Sequence, residues 1–208
     1  MDINLTLLFI LGTCYILGSL PSAIIICSFF SFGDPRQQGS GNPGATNVLR
    51  IAGPLPAVAT LLLDGMKGVL AVVLAAVLVD DSSTFLGMAA LTATFGHAYP
   101  IFFQFKGGKG VATAIGALIV IHPLYAALLA IIWLIIAILA RYASLASLIS
   151  AISLPIVLFI NNSPQWVPLT VLALLIIWRH RSNMLALWRG NEHKITLPSP
   201  SREFSSKP

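Results

Sequence analysis

The sequence predicts an all-α fold: a polytopic membrane helix bundle of seven transmembrane helices, some of them short or tilted. Three observations predict it. Hydrophobic residues fill 57% of the 208 positions and charged residues only 9%, against about 25% charged in a soluble domain. The mean hydropathy is +0.89. The few charges cluster in short breaks between apolar runs instead of lining helix faces. Too little polar surface remains to cover a water-exposed globule, so a bilayer is the solvent this composition requires.

Apolar runs bounded by breakers give the elements in order: 3–30, 55–79, 84–103, 111–121, 124–139, 145–160 and 166–178. The first begins without a basic flank, so it reads as a retained helix and not a cleaved signal peptide. It carries both cysteines, Cys14 and Cys27, expected as small buried hydrophobes and not as a disulfide or metal pair. The fourth run stops at His122-Pro123. Several runs are shorter than the roughly 20 residues of a full crossing and are expected to be partial or tilted. Reading 111–139 as one long helix would give five crossings instead.

The breaks set the orientation. In order they carry Arg36 and Arg50, then Asp80 and Asp81, Lys106 and Lys109, His122, Arg141, Asn161 and Asn162, and finally Arg179 and Arg181. Basic breaks alternate with breaks that hold no Lys or Arg, which places the basic set in the cytoplasm. The N-terminus, with Asp2, is then outside, and the C-terminus, with Arg189, Lys194, Arg202 and Lys207, is cytoplasmic. Five crossings would leave Arg141 outside, so seven is preferred. Residues 1–197 read as one membrane domain, and the Ser/Pro-rich 198–208 as a disordered tail. The net charge of +5 does not point to nucleic acid, which needs a solvated basic face.

The first basic break, 33–53, is dense in small and polar residues: Gly39, Ser40, Gly41, Asn42, Gly44, Thr46 and Asn47, flanked by Arg36 and Arg50. Glycines let successive N–H groups converge, and such a nest binds an anion. Arginines add bidentate contacts to phosphate. The segment matches G-x-G-x-x-G, but no strand precedes it, which excludes a dinucleotide fold. In the second basic break, Lys106, Gly107, Gly108, Lys109 and Gly110 lead into a helix. A helix start with two lysines favours an anion there. Gly110 stands where a Walker A loop requires Ser or Thr.

Other polar residues lie in or near the spans. Asp64 and Lys67, three apart, share one helical face and read first as a structural ion pair, with contact between Lys67 and a substrate phosphate as the alternative. His97 reads equally as a packed or a functional residue. Ser144 follows Arg141 at the rim, while Ser147 reads as a helix-packing residue. His180 and Asn183, three apart, would be neighbours on one face. Arg179, Arg181 and Arg189 read as border charges facing lipid headgroups. No His, Cys, Asp or Glu cluster has ligand spacing, so no metal is expected, and no cofactor motif is present. Three anion-friendly segments thus meet on one face of a small bundle.

The motifs GSLPSA (18–23), GSGNPGATN with Arg50, GHAYPIFFQFKGGKGVAT (96–113) and RHRSN (179–183) together resemble the bacterial acyl-phosphate:glycerol-3-phosphate acyltransferase family of the PlsY type. The resemblance spans about residues 10–194. It implies a seven-helix inner-membrane enzyme that moves a fatty acyl group from acyl phosphate to the 1-position of glycerol 3-phosphate. The products would be lysophosphatidic acid and phosphate, at the first step of phospholipid synthesis. By the same resemblance, Ser40, Asn42, Lys109, His180 and Asn183 are the catalytic set. Gly39, Gly41, Gly44, Thr46, Asn47, Arg50, Lys106, Gly107, Gly108 and Ser144 are the substrate-binding set. The expected partners are acyl phosphate, glycerol 3-phosphate and membrane lipids.

The residues agree with this on chemical grounds. An activated acyl donor needs orientation and charge stabilisation more than a strong base. None of His97, His122, His180 or His193 has an Asp five residues on, as acyl-CoA acyltransferases typically have. The hydroxyl proton then goes either to His180 or to substrate phosphate, and the resemblance favours the second. Two other classes compete. A transporter for a phosphorylated solute would share the broken helices and cationic loops, but no internal repeat is present. A structural membrane subunit would not need these polar segments.

Overall fold

The computed structural model describes residues 5–79 and 83–195. The expectations for Asp2, for Asp80 and Asp81, and for the tail 198–208 fall outside those residues. Ten α-helices and two short 3₁₀ turns make up the described chain, with no strand among them. The helices are α1 (Leu5–Gly18), α2 (Ser22–Phe29), α3 (Ala45–Ala52), α4 (Pro54–Leu78), α5 (Ser83–Ala98), α6 (Val111–Ile121), α7 (Pro123–Ala140), α8 (Ala143–Ile160), α9 (Trp166–Arg179) and α10 (Arg181–Trp188).

Four segments are long and apolar enough to cross a bilayer: Leu5–Phe29, Pro54–Leu78, Pro123–Ala140 and Ala143–Ile160. Two shorter apolar helices, α6 and α9, have 11 and 14 residues, and α5 has 16. They are packed into the bundle, which is how short membrane helices keep their ends away from lipid. Helix α4 is the hub and packs against α1, α2, α3, α5 and α6, while α8 packs against α7 and α9. Large apolar side chains such as Phe9, Val77 and Leu139 stay exposed on the outside, as lipid-facing residues do.

Small residues set the seam at the centre. A methyl group on Gly68 would run into the Thr113 carbonyl, and one on Gly116 into the Gly65 carbonyl. Backbones in lipid gain by this close approach, because packing and not hydrophobic burial joins membrane helices.

Two boundaries differ from the pattern, and a third, at His122-Pro123, falls where the pattern has it. The predicted first run, 3–30, is broken at Ser19-Leu20-Pro21 into α1 and α2. Pro21 has no N–H to give, and at the break the Leu20 carbonyl accepts from the Ser22 amide at 3.1 Å and from Lys67 Nζ at 2.9 Å. The predicted third run ends at Ala98, with a 3₁₀ turn at Ile101–Phe103 beyond Pro100. The chain also reverses at His122-Pro123. The start of α6 and the end of α7 both reach one polar cluster (Lys109, Arg141, Ser144), while His122 bonds to Gln165 at the opposite end. That reversal overturns the single helix over 111–139. The amphipathic helix α3 and the short helix α10 lie outside the predicted apolar runs.

Candidate active site

The loop between α2 and α3 is built around Asn47, whose side chain is 1% exposed. Its amide Nδ2 donates to the Pro35 carbonyl at 2.9 Å and the Gln38 carbonyl at 3.0 Å. Its Oδ1 accepts from the Ser40 amide at 2.8 Å. The Gly41 amide donates to the Gln38 carbonyl. Both nest amides are therefore spent inside the loop, and Asn47 shapes the loop with both of its N–H donors and its carbonyl oxygen. Gly39 and Gly41, at φ of +58° and +71°, take the left-handed conformation that favours glycine. The side chains of Ser40, Asn42 and Thr46 have no hydrogen-bond partner among the described residues and stay available to a ligand. Arg36 is committed elsewhere. It clamps Asp34 (Nη2 to Oδ2 2.6 Å) and lies over the Phe103 ring at 5.4 Å. The hydrogen bond from Arg36 holds the Asp34 carboxyl below its usual range.

The second loop is held from both sides. The Gly108 amide donates to the His97 carbonyl at 3.1 Å. Arg179 donates to the Gly108 carbonyl at 3.0 Å (Nε) and the Gly107 carbonyl at 2.8 Å (Nη2), and lies over the Tyr99 ring. Arg179 is thus a clamp on this loop and not a border charge. Gly107 and Gly108 are buried, Lys106 is exposed, and Gly110 caps α6 at a φ of +85°.

Lys109 leads into a cluster drawn from four parts of the chain. Its Nζ donates to Asn183 Oδ1 at 2.5 Å. Asn183 Nδ2 and Ser144 Oγ both donate to Glu192 Oε1, at 2.8 and 2.7 Å. Arg50 donates to the His193 carbonyl at 3.1 Å. Arg141 pairs with Ile195 through the backbone at 2.7 Å, closing the strap after α10 over the cluster. Burial pushes the Lys109 ammonium down to about 8; Glu192 opposes that shift, and Arg179 and Arg50 add to it.

His180 lies between α9 and α10 and is 2% exposed. Its Nδ1 stands 2.8 Å from the Ile176 carbonyl, which can only accept, so Nδ1 carries the proton of the neutral ring. Burial first, and the Lys109 charge second, hold its pKa down at about 4.

Beneath the loops, Lys67 pairs with Asp64 at 3.0 Å, as the spacing predicted. His97 Nδ1 lies 3.4 Å from the same carboxyl oxygen. Ser147 accepts from the Trp133 indole at 3.0 Å, a packing role. Arg50, Lys109, Ser144 and Asn183 therefore meet in one cluster. The 39–44 loop instead approaches through Pro43, which lines a cleft with Lys106, Gly107 and Gly108. Sequence reasoning missed Glu192. Its signal was a single acidic residue inside RGNEHK, easily passed over in a basic stretch.

This fold and site define an integral membrane protein whose charged and polar side chains gather at one end. Comparison with known proteins narrows the class. A family model described as "Glycerol-3-phosphate acyltransferase" matches residues 8–190. The glycerol-3-phosphate acyltransferase of Halorhodospira halophila is 45% identical over 183 residues, covering 87% of this chain and 92% of that protein. That of Haemophilus ducreyi is 42% identical over 192 residues, covering 92% and 96%. A crystal structure of PlsY (YgiH), an integral membrane glycerol 3-phosphate acyltransferase in its glycerol 3-phosphate form, is similar with a TM-score of 0.86. It is 39% identical and covers 92% of this chain and 96% of that one. The lysophosphatidic acid form gives a TM-score of 0.83. The chain belongs to the glycerol-3-phosphate acyltransferase family, enzymes of membrane-lipid synthesis.

Proposed function

We propose that this enzyme transfers a fatty acyl group from acyl phosphate to the 1-position of glycerol 3-phosphate. The products are lysophosphatidic acid and inorganic phosphate, and the reaction begins phospholipid synthesis. It works in a bacterial inner membrane, with seven crossings, the N-terminus outside and the site facing the cytoplasm. Relatives solved with glycerol 3-phosphate and lysophosphatidic acid support the substrate and product. The observation that carries the reading is the meeting of Lys109, Asn183 and Ser144 around Glu192, with Arg50 beside them. These residues are remote in sequence yet form one cationic, donor-rich cluster at the polar end.

In this reading Lys109, Arg50, Ser144 and Asn183 hold the phosphate of glycerol 3-phosphate. Ser40, Asn42 and Thr46, whose side chains are free, face the acyl phosphate together with Lys106 and the glycines. The glycerol 1-hydroxyl oxygen attacks the acyl carbonyl carbon, and the bond from that carbon to the phosphate oxygen breaks. The phosphate leaves and takes the hydroxyl proton. His180 is a poor candidate for that proton, because a useful general base titrates near the working pH and His180 is held far below it. A phosphate oxygen, titrating near about 6, is better matched. His180→Ala should then lower kcat by less than the roughly 10⁴-fold upper range of general-base loss. A larger fall would return the proton to His180.

The direct test supplies purified protein with glycerol 3-phosphate and, in turn, acyl phosphate, acyl-CoA and acyl carrier protein thioester. Release of phosphate with stoichiometric lyso-lipid from acyl phosphate alone is the expected result. Equal or better transfer from a thioester would overturn the donor assignment.

A further inference from the structure

The reaction above has no part for His97, yet the Gly107-Gly108 turn is moulded to it. Gly108 lies outside the positive-φ region, so its backbone would accept a side chain. The space would not. The three nearest atoms that a methyl there would meet all belong to the His97 ring, Nε2 first. A methyl on Gly107 would run into the His97 carbonyl. That carbonyl also accepts from the Gly108 amide at 3.1 Å. The turn is therefore pressed onto His97, while Arg179 holds its two carbonyls. His97 is itself seated by charge. It is 8% exposed, and its Nδ1 makes no hydrogen bond among the described residues. Asp64 Oδ1 stands 3.4 Å from that nitrogen. The carboxylate is near enough to draw the proton of a neutral ring to Nδ1, which leaves Nε2 bare against Gly108. Lys67, buried like Asp64, balances it at 3.0 Å and reaches the Leu20 carbonyl at the α1–α2 break.

A buried ion pair adds little net stability, because desolvation offsets the attraction; what it can supply is one fixed arrangement. Ionisable residues inside a membrane bundle mark function by default. We propose that His97 is a positioning residue of the transfer reaction: seated by Asp64 and Lys67, it props the Gly107-Gly108 turn and so sets where the Lys109 ammonium stands. This rests on the reading that Lys109 holds the phosphate of glycerol 3-phosphate. Lys109 directly follows the propped turn, so slack in the turn moves the ammonium. A misplacement of about 1 Å can cost on the order of a hundredfold in rate.

His97→Ala removes the prop. At saturating acyl phosphate it should lower kcat/KM for glycerol 3-phosphate by on the order of a hundredfold. Gly108→Ala, whose methyl overlaps the ring, should do the same. The double variant His97→Ala/Gly108→Ala puts the new methyl into the vacated ring space. It should recover about tenfold over either single variant, a coupling within the range for residues in contact. Losses that simply multiply in the double variant overturn the proposal. The pH profile adds a readout that general damage would not move. Glu192, Arg179, Arg50 and His180 face the Lys109 ammonium, and burial holds its pKa down at about 8. A slack turn admits water, so the alkaline limb of His97→Ala should move to higher pH. Partial unfolding would lower the whole profile and leave the limb in place, and that result overturns the proposal. The charge-balanced pair Asp64→Asn/Lys67→Met keeps the ring and should shift the limb the same way, which decides the matter if His97→Ala does not insert; an unmoved limb there overturns the seating. Hydrogen exchange at residues 106–110 judges the prop without any reaction. It should quicken in His97→Ala and slow again in the double variant, and unchanged exchange overturns the proposal. Should Lys109→Ala leave KM for glycerol 3-phosphate unchanged, the phosphate reading falls and the proposal with it, whatever the exchange shows.

Discussion

At the scale of single residues, Lys109 decides most. It donates to Asn183, and burial has brought its pKa to about 8. A phosphate held by this ammonium is held only while the ammonium is charged. Because kcat/KM reports the free enzyme, its value for glycerol 3-phosphate should fall as pH rises through about 8. Glu192 raises the Lys109 pKa by its negative charge. Glu192→Gln removes that support, so the alkaline limb should move to lower pH; a limb that stays put would detach it from Lys109. Lys109→Ala should cost about 2–5 kcal/mol of transition-state binding, the range for truncating one partner of a buried charge pair. That would appear as a loss of kcat/KM of about thirtyfold or more, in protein that still inserts and extracts normally.

At the scale of elements, the loop before α3 presents Ser40 in the proposed mechanism, and Asn47 is its frame. Asn47→Ala removes three hydrogen bonds and leaves the Ser40 amide and the Pro35 carbonyl unmatched, while the Gln38 carbonyl keeps only the Gly41 amide. At about 1 kcal/mol each, the loop should open by roughly 3 kcal/mol. The measurement is hydrogen exchange or limited proteolysis confined to residues 33–44, with activity lost and the bundle intact. The α4–α6 seam gives a contrasting case. Gly116→Ala meets the Gly65 carbonyl, whereas Gly12→Ala meets nothing nearby. Overpacking of about 1–3 kcal/mol should lower the Tm of the first variant in detergent and spare the second.

These elements also show what patterning can read. The apolar runs for α4, α7, α8 and α9 stand out because lipid-facing and core-facing sides are both hydrophobic, so boundaries alone carry the signal. α3 and α10 escaped because they are short and lie at the polar end, where patterning expects loops. The break in the first run was hidden for the opposite reason, since its flanks are uniformly apolar and only Pro21 marks it. Within the site, Lys109, Asn183, Arg50 and Ser144 were legible as donors. Glu192, through Ser144, and Arg179, through Gly107 and Gly108, reach partners about 50–75 positions away, and no local spacing encodes that.

For the whole molecule, the sorting of polar groups by end is the deciding property. Lys106, Lys109, Arg50, Arg141, Ser144, Asn183 and the strap after α10 gather at one end. His122, Ser163 and Gln165 form a small hydrogen-bonded network at the other, where Thr84 also meets the Pro164 carbonyl. A one-sided distribution suits an enzyme fed by water-soluble glycerol 3-phosphate from one compartment and by acyl chains from the bilayer. A transporter would place its polar groups midway. Basic residues mark the cytoplasmic side, so the two ends should differ in labelling. The native Cys14 and Cys27 are buried and give little background. Lys106→Cys, at an exposed position, should resist a membrane-impermeant thiol reagent in intact cells with a permeabilised outer membrane, and react once the inner membrane is opened. Asn161→Cys, exposed at the far end of α8, should react in the intact cells. If both label from the same side, α8 does not cross the membrane and the seven-crossing topology fails with it. If the two are reversed, the site opens outward, away from any cytoplasmic supply of glycerol 3-phosphate.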